Sequence, residues 1–97
     1  MAETFSRYDT ADYLKTDEDI AAYLEASAED GDATAMALAL GTVARARNVT
    51  QLARDTGLTR EGIYKALSPD GNPAFATVVK VARAMGFDVT FRPRVAS

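Results

Sequence analysis

The chain contains no cysteine and no histidine. Their absence removes disulfides, thiolate chemistry, Cys/His zinc sites and imidazole catalysis together. The lack of cysteine is compatible with a cytoplasmic setting. No apolar run approaches the ~20 residues a membrane-spanning helix needs. The N-terminal Met-Ala-Glu-Thr-Phe-Ser-Arg has neither the charge nor the apolar stretch of a signal peptide. There is no Gly-rich phosphate loop. Acid pairs such as Asp17 and Asp19 fall in the first turn of an expected helix, where carboxylates suit the positive end of the helix dipole. The expectation is therefore a protein that is not an enzyme and that carries no cofactor and no metal.

What is present is ordinary in bulk and uneven in layout. Of 97 residues, 47% are hydrophobic and 26% charged, as expected of one domain with a single modest core. The net charge is -3, which argues weakly against nucleic-acid binding. Residues 1–32 hold two bases against ten acids, a net of -8, and residues 33–97 hold nine bases against four acids, a net of +5. An acidic head on a basic body suggests two different partners, although an acidic helix face can also simply be solvated. Three parts of one compact domain follow: an acidic arm and first helix (1–32), a helical core (33–86) and a tail (87–97).

Helix signals recur along the chain. Phe5, Tyr8, Tyr13 and Leu14 stud an irregular arm. Thr16 is a candidate N-cap for a helix with Asp17, Glu18 and Asp19 in its first turn and Ile20, Tyr23, Leu24 and Ala28 at helical spacing. Asp32 caps a second helix with the apolar stripe Met36, Ala39, Leu40, Val43 and Ala44. Arg45 and Arg47 sit at its negative end. Asn48 caps a third, with Gln51 at capping-box spacing. Gly57 marks a sharp turn at positive φ. Thr59 caps a fourth helix running to about Leu67, buried through Ile63, Ala66 and Leu67. The turn-rich Ser68-Pro-Asp-Gly-Asn72-Pro73 is a loop. Asn72 is expected to cap a fifth helix, with Pro73 at its first position and Phe75, Val78, Val79, Ala82 and Met85 as its core stripe. Gly86 stops it. The tail Phe87-Asp-Val-Thr-Phe-Arg92 alternates apolar and polar, as a strand does. No other strand is available to pair with it. Phe87, Val89 and Phe91 are thus candidates for dimerisation through the same strand of a second subunit, the other option being a tail extended over the core.

The third and fourth helices with the turn at Gly57 read as a helix-turn-helix, which places long polar side chains where they can enter a DNA groove. Arg60 is suited to guanine O6/N7 and Glu61 to cytosine N4. Lys65 lies one turn on, on the same face as Glu61. Thr59 can touch a thymine methyl or a phosphate, and Tyr64 can reach the DNA backbone or stack beneath the helix. Gln51, Ser68, Asn72 and the N–H groups opening the fifth helix are candidates for phosphate contacts. Gly62 is costly within a helix, by about 1 kcal/mol against Ala, and close approach to DNA or to a neighbouring helix is one reason for it.

The string from Gln51 to Phe75, with its Leu-Ser-Pro-Asp-Gly-Asn-Pro loop, resembles the addiction-module antidote proteins of the HigA-type antitoxin group. Tyr13-Leu-Lys-Thr-Asp-Glu-Asp-Ile-Ala-Ala-Tyr-Leu24 and Thr77-Val-Val-Lys-Val-Ala-Arg-Ala-Met-Gly86 are similar too, so the resemblance covers roughly residues 5–92. It implies an all-α, five-helix, λ-repressor-like domain. It also implies a bacterial, cytoplasmic, dimeric antitoxin of a type II toxin–antitoxin system. Such a protein binds a palindromic double-stranded operator, represses its own operon and neutralises a basic RelE-like (HigB-like) toxin. The acidic residues 1–32 suit a basic toxin. Two rival readings stand beside this one: a stand-alone repressor without a toxin, and an acidic protein-interaction module that does not bind DNA.

Overall fold

A computed structural model describes residues 14–95, and the aromatic arm residues Phe5, Tyr8 and Tyr13 lie outside them. Five helices follow one another: α1 (Asp17–Ala28), α2 (Ala33–Ala46), α3 (Val49–Thr56), α4 (Arg60–Ala66) and α5 (Phe75–Ala84). Among the described residues there is no strand. The described part of the chain is all-helical.

Four of the five helices start where a short polar side chain replaces the backbone partner that the first turn lacks. Thr16 accepts from the Asp19 N–H at 3.0 Å and Asp32 from that of Thr34 at 3.2 Å. Asn48 accepts from the Gln51 N–H at 3.1 Å and Thr59 from that of Gly62 at 2.8 Å. The fifth departs from expectation. Asn72 adopts a left-handed conformation with φ 46, and the N-cap is Ala74, with no side-chain hydrogen bond. Asn tolerates that conformation better than most residues. Asn72 is used in closing the loop, and the helix starts only after Pro73 and Ala74. The capping box at α3 is also one-sided, because the Gln51 Nε2 donates to Asp55 Oδ1 at 2.9 Å rather than returning to Asn48.

α2 is the central helix and touches all four others. Its C-terminal half is enclosed, with Ala37, Ala39, Leu40, Gly41, Thr42, Val43 and Ala44 all buried. At Gly41 an added Cβ would lie 3.1 Å from the Leu67 carbonyl oxygen, so the end of α4 is seated directly on α2. One apolar cluster joins Ile20 of α1, Leu40 and Val43 of α2, Leu52 of α3, Ile63 of α4, and Val81 and Met85 at α5.

α1 runs antiparallel to α2, and the two are tied at the far end by Arg47 Nη2 donating to Asp17 Oδ1 at 2.8 Å. That pair is exposed on the aspartate side, so it contributes at most about 1 kcal/mol.

Two expected core residues are exposed: Met36 is 40% and Phe75 64% accessible. Met36 lies in the half of α2 before the enclosed stretch, and Phe75 opens α5. The buried face of α5 is instead Val81, Ala82 and Met85, with Val78 half-buried beside them. α5 ends as expected at Gly86. The Phe87 N–H donates to Ala82 O at 2.9 Å and the Gly86 N–H to Arg83 O at 3.0 Å, the paired bonds of a Schellman stop. Phe87 is drawn back against the core. The tail beyond it forms no ladder within the chain, and Val89 and Phe91 stay exposed.

Candidate nucleic-acid interface

The surface built by α3, the turn and α4 is fixed from beneath. The Thr56 hydroxyl donates to Leu52 O at 2.7 Å and accepts from the Leu58 N–H at 3.2 Å. Gly57 has φ 77, and its N–H donates to Ala53 O at 2.9 Å. Only Gly reaches that backbone conformation without a Cβ penalty. The chain then reverses, Leu58 tucks half-buried against the core, and Thr59 caps α4.

α4 is seven residues long and holds on through one face. Ile63 is fully buried and Leu67, just past the helix, nearly so. Every residue from Thr59 to Gly62, together with Tyr64 and Lys65, is exposed. At 100° per residue, Glu61 and Lys65 point directly away from Ile63, while Arg60 and Tyr64 flank them on one side. The structure thus brings Arg60, Glu61, Tyr64 and Lys65 together on one outward surface.

The remaining sequence candidates take different positions. Thr59 uses its oxygen as the acceptor of the cap bond, which leaves the hydroxyl hydrogen free to donate. Gln51 is exposed at the start of α3. Ser68 is half-buried, and its hydroxyl donates to Lys65 O at 2.8 Å, so its single donor closes the end of α4. Asn72 is exposed in the loop. Gly62 approaches no other helix. A Cβ there would meet only the Thr59 hydroxyl, at 2.9 Å, so the glycine keeps room for the cap. At Gly71 a Cβ would run into the backbone carbonyls of Lys65 and Ala66. The loop therefore lies flat against the end of α4, and the sequence signal for this was the Asp-Gly-Asn turn itself. From the sequence, the N–H groups opening α5 are expected both to be capped by Asn72 and to meet phosphate; they have no side-chain partner, which is the arrangement that attracts an anion.

No group of His, Cys, Asp or Glu that could hold a metal ion occurs among the described residues. No helix among them is long and apolar enough to cross a membrane.

A small all-helical protein with a polar, outward-facing fourth helix is the class these features define. A family model described as "Probable addiction module antidote protein" matches residues 4–93. The chain belongs to that family. A protein of Haemophilus influenzae (strain Rd), described only as uncharacterized, is 47% identical over 85 residues, covering 88% of each chain. No solved structure matches at a significant level. The family is one of probable antidotes of addiction modules, which implies a toxin as partner.

Proposed function

We propose that this chain is an antitoxin and a DNA-binding protein: a homodimer that represses its own operon through α3 and α4 and neutralises a RelE-like toxin. The observation that carries the reading is the outward face of α4, with Arg60, Glu61, Tyr64 and Lys65 exposed around a helix anchored by Ile63. In a λ-repressor-like helix-turn-helix the second helix enters the major groove by its N-terminal residues. Here Arg60 and Glu61 occupy that end, and Lys65 follows one turn later. Thr59, Gln51 and Asn72 would hold phosphates, joined by the uncapped N–H groups of α5. Ser68 would act by fixing the end of α4. Two copies related by a twofold axis would read half-sites about 34 Å apart, with Val89 and Phe91 of the tail as the proposed contact between subunits. The exposed α4 surface favours this reading over the interaction module without DNA.

The test is an anisotropy titration of the full chain against its own upstream DNA and a random duplex at two salt concentrations. Selective binding to the upstream DNA is expected. Equal, weak, salt-sensitive binding to both duplexes would leave only a phosphate term and reject the operator-binding reading.

A further inference from the structure

One large concavity lies away from α4. It is a groove of about 800 Å³ between α1, the first half of α2, the 68–73 loop, the start of α5 and the tail. Its walls include four exposed large apolar side chains, Met36, Phe75, Val89 and Phe91, together with the half-buried Leu24 and Val78. Exposed apolar patches of this kind, rimmed by polar residues, mark sites where something docks.

The charge around the groove selects the occupant. Between Lys15 and Arg45, the stretch that supplies the α1 and α2 walls, the chain carries seven Asp or Glu and no Lys or Arg; of the seven, Glu25 lines the groove and Asp17 is paired with Arg47. Glu25 lines one side and Asp70 another. Glu29, Asp30 and Asp32 stand exposed in the turn between Ala28 and Ala33, both of which line the groove. On the opposite wall Asp88 is balanced by Arg83 at 3.1 Å, and among the described residues Arg92 is the one base that lines the groove. A second copy laid over the α1 and α2 walls about a twofold axis would set like charges together, so a subunit contact through Val89 and Phe91, which line the tail side of the groove, has to leave those walls to another partner. Residues 1–13 carry three acids against Arg7, so they too are mismatched.

We infer that the groove is the docking site for a protein partner that offers an apolar segment flanked by lysines or arginines. Resting on the antitoxin reading, that partner is the toxin. Large side chains of the segment enter between Met36 and Phe75, and its bases face Glu25, Asp70 and the α1–α2 turn. The apolar contacts supply most of the affinity, and the carboxylates supply association rate and selectivity. Arg60, Glu61, Tyr64 and Lys65 on the outward face of α4 are not among the lining residues, whereas Asn72 of the loop is shared between the groove and the proposed phosphate contacts.

The experiment is calorimetry of the full chain with a RelE-like toxin, taken from a small basic reading frame adjoining the gene where one is found, using Met36→Glu, Phe75→Glu and, as a control, Arg60→Ala. Both groove residues are partly exposed, so the variants keep the core, and their circular dichroism checks this. The expected result is a loss of toxin affinity of roughly tenfold or more in each groove variant, with Arg60→Ala unchanged. Glu25→Lys combined with Asp70→Lys should weaken binding and flatten its salt dependence. Toxin binding within twofold of wild type in both folded groove variants would overturn the inference while leaving the antitoxin reading intact. Groove variants that lose toxin only because sedimentation shows them to be monomers would assign the groove to a second copy. If deleting residues 1–13 abolished the effect of the variants, the groove would belong to the arm. A wild-type chain that binds no toxin would reject the antitoxin reading itself.

Discussion

Ile63 and Arg60 stand one turn apart on α4 and do opposite things. Ile63 is sealed in the core while Arg60 projects into solvent, so one holds the helix and the other is free to meet a partner. For Arg60→Ala the expected outcome is a loss of about 1–3 kcal/mol on operator DNA with relaxed preference at one base pair and an unchanged urea midpoint. Equal losses on operator and random duplexes in the same titration would make Arg60 a phosphate contact instead. Gly71 is the other residue whose role is local and strict. Adding a single methyl there drives it into the Lys65 and Ala66 carbonyls. Neither carbonyl can retreat without opening the end of α4. Gly71→Ala should therefore destabilise by ~1–3 kcal/mol, read as a shift of the urea midpoint. A shift near zero would mean that the loop lifts away freely.

At the scale of the element, α4 is too short to persist alone, since isolated helices under about a dozen residues are marginal in water. It depends on its cap at one end and on Ile63 and Leu67 against α2 at the other. Thr59→Ala and Asn48→Ala each remove one cap bond and should each cost about 1 kcal/mol in urea unfolding. Their effects on DNA should differ. The Thr59 change frees the end of α4 that carries Arg60 and Glu61, so its operator affinity should fall further than that of Asn48→Ala. Equal affinities would separate the fourth helix from binding. Most of this element-scale architecture is legible in the chain itself. Thr16, Asp32, Asn48 and Thr59 each announce a helix start, because the bond they make spans two or three residues. The Ala74 start of α5 was not legible, because Asn72-Pro73 carries an equally good local signal and the loop used Asn72 for its own closure.

For the molecule as a whole, the tail is the open element. Phe87 is committed to the core and to the Schellman stop, whereas Val89 and Phe91 are exposed. A truncation after Asp88 leaves the helix stop intact and removes the proposed pairing strand. Sedimentation should show it shifted toward monomer, and a fully dimeric truncation would end the strand-pairing proposal.

The sequence by itself determined the five helices of the described residues, four of their five caps, the turn at Gly57, the outward character of Arg60, Glu61, Tyr64 and Lys65, and the acidic bias of the first 32 residues. These are properties of neighbours three or four positions apart, and helical periodicity exposes them. Only the tertiary structure decided that Met36 and Phe75 line a groove, that Val81 is sealed, that Ser68 spends its hydroxyl on Lys65, and that Phe87 returns to the core. Burial depends on where other helices happen to end. An apolar side chain on the right stripe is covered only as far along its helix as a partner reaches, and α2 and α5 each extend past theirs.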